Sequence, residues 1–310
     1  MKNIKLILSI ALVSITLSCS EKKEDKKENN AETNAQNNLS GDEKSKQTSQ
    51  ETGKFPFEYP VVEQLNATKG DNVFAINMKL VDNDVKEGKT SFSTQFLFAS
   101  LEASGNKQST IKFVDSYPVP NSGIIVIPKG QNVKVGDIVA GKWAVNLTRA
   151  IITDASNPKA PKASFIGLAW DNPAKAEDGK TGIGQYEYAL KENEFMLISK
   201  EFDPGTSCAV KENGTWKHMN VFNSVEDMVL GTIFVNFTAV KKSDCIAIPL
   251  KTNYKPGDSV WAPWVGTMSK GKITKVNSKM GRYTIKFDES SKGEKVLSFG
   301  DVIRDLPELK

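Results

Sequence analysis

The chain has 310 residues, 39% of them hydrophobic and 25% charged, which is enough apolar material for a folded core and excludes wholesale disorder. Its 41 basic and 37 acidic residues leave a formal charge of +4, which demands neither nucleic acid nor an acidic substrate as partner. One histidine, His218, and three cysteines exclude a histidine-rich metal site and a disulfide-dense scaffold, and leave a single candidate for a histidine-assisted nucleophile.

The N-terminal stretch MKNIKLILSIALVSITLSC predicts a signal peptide over residues 1–18. Lys2 and Lys5 form a short basic region, followed by an almost uninterrupted apolar run from Leu6 to Leu17. That run is shorter than the roughly 20 residues of a membrane span. Thr16-Leu17-Ser18-Cys19 closes it, with a small residue just before the cysteine, and resembles a bacterial lipoprotein cleavage box in which Thr16 stands where Leu is common. The resemblance implies that Cys19 is lipidated and becomes the new N-terminus. It also implies a lipid-anchored protein of the bacterial envelope, at the outer membrane or cell surface rather than the inner membrane. Loss of Lys2 and Lys5 leaves 39 basic against 37 acidic residues, a charge of +2 that is too small for electrostatic docking on lipid to be the main anchor. Acyl chains take that role, and stable attachment needs more than one.

Residues 19–54 predict a disordered, charged tether. Beyond Cys19 its only apolar side chains are Ala31, Ala35 and Leu39, too few to offset chain entropy by burial. As a flexible coil it would reach roughly 30–35 Å and hold the body away from a bilayer.

From Phe55 onward, short apolar runs with β-branched and aromatic members are punctuated by Gly, Asn, Asp and Pro. IIVIP at 124–128, VLGTIFVNF at 229–237 and YTIKF at 283–287 are examples. This predicts an all-β body of many short strands, with a weak helical period only near 96–103. The body also repeats itself. Shifted by 121 residues, 122–154 lies on 243–275 without a gap, and 12 of the 33 pairs are identical. They include Gly136 with Gly257, Asp137 with Asp258 and Trp143 with Trp264. Gly70-Asp71 and Pro204-Gly205 open two further copies, and Thr110–Phe113 matches Thr284–Phe287 letter for letter. The copies are placed at 55–128, 129–200, 201–249 and 250–310, the first the most divergent. A unit of about five short strands closes best as a small bent barrel without free edges.

The fourth copy carries a family resemblance through Gly257-Asp258, Val260, Trp264, the strand Lys272–Val276, Tyr283–Asp288 and Val302-Ile303. It resembles a Tudor or agenet domain, a Src-homology-3-like barrel, over about fifty residues; the other three copies resemble it more weakly. The expected architecture is therefore tandem small five-stranded Tudor-like barrels behind the tether.

The resemblance implies an aromatic cage that would hold a cationic or modified side chain. Trp264 and Tyr283 are the positions to test, with Trp261 close by and Trp143 and Trp216 taken as counterparts of Trp264. The same rings would also serve as core plugs. Cys208 and Cys245 fall in the first and last strands of the third copy, which are neighbours in such a barrel, so they form either a disulfide or two buried thiols. His218, in GTWKHMNV, has no nucleophile near it in sequence and reads as a packing or exposed residue. No phosphate loop, metal spacing or extended basic face is present in the sequence, so no cofactor, metal or nucleic acid is expected. The expected function is non-catalytic binding of a protein, peptide or glycan by a membrane-anchored protein. A structural role in an envelope complex, or cell-wall binding, is the alternative, with an enzyme behind both.

Overall fold

The computed structural model describes residues 53–166 and 187–307. The signal peptide, Cys19 and the tether as far as residue 52 lie outside the described residues. The fold is all-β, with 47% of the described residues in strands and 8% in helix.

The Gly-Asp signature builds the same corner four times. Gly70, Gly136, Gly205 and Gly257 have φ of +91°, +87°, +85° and +96°, which glycine alone adopts at little cost. Each donates its N–H to a carbonyl on the second strand after the turn, at Leu101, Ile152, Val221 or Ile273. Each of those four residues donates back to the residue just after the glycine. The carboxylates of Asp71, Asp137 and Asp258 accept the N–H three residues earlier and lock the turn. In the third copy Thr206 takes the Asp place, and Asp203 accepts from Lys200 instead. Just beyond Leu101, Ile152, Val221 and Ile273 the register shifts by a β-bulge, which bends the strand.

Around each corner runs one ring of antiparallel pairings. The first copy holds β1 (Asn72–Ile76), α1 (Met78–Lys86), β2 (Phe96–Ala103), β3 (Gln108–Lys112), β4 (Ser116–Pro120) and β5 (Ile124–Val126). Its strands pair in sequence, and β5 returns onto β1. The second holds β6 (Ile138–Trp143), β7 (Asn146–Asp154), β8 (Lys162–Phe165), β9 (Glu187–Ala189) and β10 (Phe195–Leu197), with β10 on β6. The third holds β11 (Ser207–Glu212), β12 (Thr215–Val225), β13 (Met228–Ile233), β14 (Asn236–Lys241) and β15 (Cys245–Ala247), with β15 on β11. The fourth holds β16 (Ser259–Trp264), β17 (Thr267–Asn277), β18 (Arg282–Phe287) and β19 (Glu294–Ser298), and here a single bridge from Ile303 to Trp261 takes the place of a closing strand.

The rings are joined rather than separate. Leu97 pairs with Asn146 and Lys217 with Thr267, which fuses the ladders into sheets of ten and nine strands. At these joins Phe98 donates to the carbonyl of Val145, and His218 to that of Gly266. Val145 and Gly266 are 121 positions apart, so the sequence offset is the step from one pair of copies to the next. Side-chain packing ties the pairs together. Phe222, Leu230 and Phe237 of the third copy enter the core of the first, and Ile138, Ala140 and Ile151 of the second share a core with Val260, Ile285 and Val302 of the fourth.

Three expectations are corrected. Residues 96–103 form β2, with alternate residues buried, and helix appears instead at 78–86. That helix buries only Met78, Val81 and Asp84, too short an apolar stripe to read from sequence. Gly53 belongs to the body rather than to the tether: its N–H reaches Asp82, and its carbonyl accepts from Gln108. Trp216 is not the counterpart of Trp264. Trp264 ends β16 opposite Thr267, whereas Glu212 holds that place opposite Thr215 and Trp216 lies on the next strand.

Candidate functional site

The aromatic side chains singled out from the sequence are held in separate settings. Tyr283 is buried and stacks on Phe299 at 4.4 Å. Trp264 is half-buried and packs edge-on against Phe287 at 5.3 Å, with Lys295 Nζ 5.7 Å from its ring centre. Trp261 has Lys270 Nζ over its face at 5.1 Å. Trp216 is buried and donates its indole N–H to the carbonyl of Pro307 at 2.7 Å. Trp143 meets two other rings, Phe165 at 4.8 Å and Tyr188 at 5.5 Å, and Phe165 is fully buried; Tyr283 also meets Tyr254, at 5.9 Å.

The two cysteines sit on neighbouring strands, β11 and β15, where Val210 faces Cys245 and Cys208 faces Ala247. Both are thiols in the structure, Cys208 buried and Cys245 half-buried. Contact with Cys245, reinforced by burial, pushes the Cys208 thiol far above its usual range.

Nothing in the sequence pattern points to the cluster around Asp301, because its members come from three copies. Asp301 Oδ1 accepts from Arg149 Nη2 of β7 at 2.6 Å, from Ser207 Oγ of β11 at 2.8 Å and from His218 Nε2 of β12 at 3.1 Å. Ser298 Oγ donates to Oδ2. Burial alone would raise the Asp301 carboxyl, but Arg149 and His218 outweigh it and hold the group well below the usual carboxylate range. A second guanidinium, Arg282 of β18, is nearby, 2% exposed, and donates to the carbonyl of Phe165 at 2.8 Å. Burial, with Arg149 adding to it, brings Arg282 down to about 10. His218 thus has a partner 83 positions away that sequence proximity could not reveal.

His218 and Asp301 form the floor of an open cavity of about 250 Å³ between the third and fourth copies, walled by Pro263, Lys295 and Ser298. Its rim is unusual. Phe234 and Val265 line it, each in a two-residue turn, between β13 and β14 and between β16 and β17. They are 60% and 64% exposed, with φ of +56° and +47°. Two-residue hairpins favour Asn-Gly, as at Asn213-Gly214 between β11 and β12. A bulky or β-branched side chain in the left-handed region is strained, and strain of this kind collects at functional sites. Exposed Val235 adjoins the same rim.

Among the described residues no group of His, Cys, Asp and Glu could hold a metal ion, and no helix is long and apolar enough to cross a membrane. No protein-family model and no curated protein matches the chain.

Proposed function

We propose that the chain is a non-catalytic binding protein, held at a bacterial envelope through lipid on Cys19. In this reading the four rings are small Tudor-like barrels, and the junction of the third and fourth receives a segment of a protein or peptide. One observation carries the reading: two hairpin turns that could hold Asn-Gly instead hold strained, solvent-exposed Phe234 and Val265 around one cavity. Exposed apolar side chains grouped beside a concave site are what partner recognition uses. Lys295 at the wall favours an acidic or carboxylate-bearing segment.

A glycan would be gripped by flat, open ring faces, but own-chain lysines lie over Trp261 and Trp264. The Ser207 and Ser298 hydroxyls are directed to the Asp301 carboxylate rather than toward the imidazole, which supports a structural and not a catalytic use of His218. The alternative, a rigid component of an envelope complex, is favoured by the cores shared across copies.

The test is selection of peptides from a phage-displayed random library on the immobilised full chain. Selected peptides are expected to bind the Phe234→Asn variant at least tenfold more weakly. Equal binding to the variant, or no enrichment alongside co-sedimentation with purified peptidoglycan, would overturn the proposal.

A further inference from the structure

The third ring holds a pair of thiols that the Phe234–Val265 rim does not use. β11 and β15 are its first and last strands, and their register sets Val210 opposite Cys245 and Cys208 opposite Ala247. Residues opposite each other across an antiparallel pair share a face of the sheet, and so do residues two apart along one strand. Cys208 and Cys245 are therefore diagonal neighbours on one face. Both pack in the same apolar cluster, with Met219, Val221 and Val229, and their thiols are in hydrogen-bond contact.

The two differ in access. Cys208 is fully buried, whereas Cys245 is half-buried and donates its thiol proton to the carbonyl of Lys241 at 3.3 Å. A disulfide needs the two Cα atoms within about 7 Å and the sulfurs drawn from contact to bonding distance. β15 can yield that movement. It has three residues, follows the short turn Lys242–Asp244, and among the described residues pairs with β11 alone. The chain has one other cysteine, Cys19, so within the folded body these two thiols have only each other.

We infer that Cys208 and Cys245 are a site of reversible oxidation, which closes a disulfide between the first and last strands of the third ring. The oxidant is a small-molecule disulfide. Cys245, as the reachable residue, loses its proton and attacks one sulfur of that disulfide, so a mixed disulfide forms and the first thiolate leaves. Cys208 then loses its proton and attacks the Cys245 sulfur, which forms the internal bond and expels the second thiolate. Both leaving thiolates take up protons. The two cysteines lose two electrons and the small disulfide gains them. The new bond closes a loop of 36 intervening residues that carries β12, β13 and β14, so it restricts the unfolded chain and stabilises the folded one. It also lies beside Ser207, one of the donors to Asp301.

The experiment equilibrates the full chain, carrying Cys19→Ser, in buffers of reduced and oxidised glutathione. Free thiols are then alkylated after acid quench and unfolding, and counted by mass spectrometry. Both thiols are expected to disappear together as the buffer becomes oxidising, to return on reduction, and to leave no lasting glutathione adduct. Tm of the oxidised protein should exceed that of the reduced protein by several degrees. Cys208→Ala removes the second attack and should stop at one glutathione per chain. Cys245→Ser removes the point of entry and should leave Cys208 a thiol while the protein is folded. Two thiols persisting in the most oxidising buffer, a wild-type chain that stops at the glutathione adduct, or a bond that forms only in denaturing urea would each overturn the inference.

Discussion

Asp301 is the residue on which the junction of three copies depends, since its carboxylate accepts from both Arg149 and His218. Removing one partner of a buried ion pair leaves the other charge uncompensated, at a cost of about 3–5 kcal/mol. Asp301→Asn is therefore expected to destabilise the protein by about that amount, measured by urea unfolding at pH 7. The pH dependence has a definite sign. A carboxyl depressed on folding stabilises the folded state above its unfolded pKa of about 4, and that stabilisation is lost as the pH falls through the acid range. Wild type should lose stability steeply below about pH 4, and Asp301→Asn should show a shallower acid limb. None of this was legible in the sequence. His218, Ser207, Arg149 and Asp301 lie on four different segments, and only the packing of copies brings them together. What sequence did reveal at this scale was repetition: Gly136 and Gly257, or Trp143 and Trp264, occupy equivalent places in their rings.

At the scale of elements, the Gly-Asp corner and the bulge that follows define each ring. The corner was readable because its chemistry is local: a positive φ at glycine, and a carboxylate returning to an N–H three residues back. Gly257 has open space where a Cβ would stand, so Gly257→Ala tests the backbone alone. The left-handed region costs a residue with a side chain roughly 1–2 kcal/mol. Gly257→Ala should lose about that much, read from the urea midpoint, whereas Gly205→Ala adds contacts at 3.1 Å to Ala140 and should lose more. Helix α1 was not readable. It is one short stripe, and Asp84 fastens it by accepting from Lys89 at 2.7 Å and from the N–H of Ser93 at 2.6 Å. Those bonds run to the loop after the helix, which periodicity does not register. The Trp216 mismatch has a similar origin: counting along the chain cannot tell the end of β11 from the start of β12 when the turn between them is only Asn213-Gly214.

The whole molecule is a duplicated pair of rings, with the 121-residue step relating Val145 to Gly266 at the two joins. Phe222, Leu230 and Phe237 sit in a core with the first copy, and the second and fourth copies share another, so the copies are tied together even where the second and third also hold clusters of their own. Residues 53–307 should therefore unfold in one cooperative transition, and a fragment ending at residue 200 should fail to fold, as judged by circular dichroism and urea titration. Two or more separated transitions would show that the rings behave as independent beads. A shared body of this kind holds the Phe234 and Val265 turns rigidly enough to carry strain that an isolated hairpin would relax. The most direct measurement combines stability and binding in one variant, Val265→Asn. If strain at this turn is retained for recognition, Asn relieves it and Tm rises by an amount equivalent to about 1 kcal/mol, while binding of peptides selected on wild type falls at least tenfold. A lower Tm, or undiminished peptide binding, would contradict the assignment of this junction as the binding site.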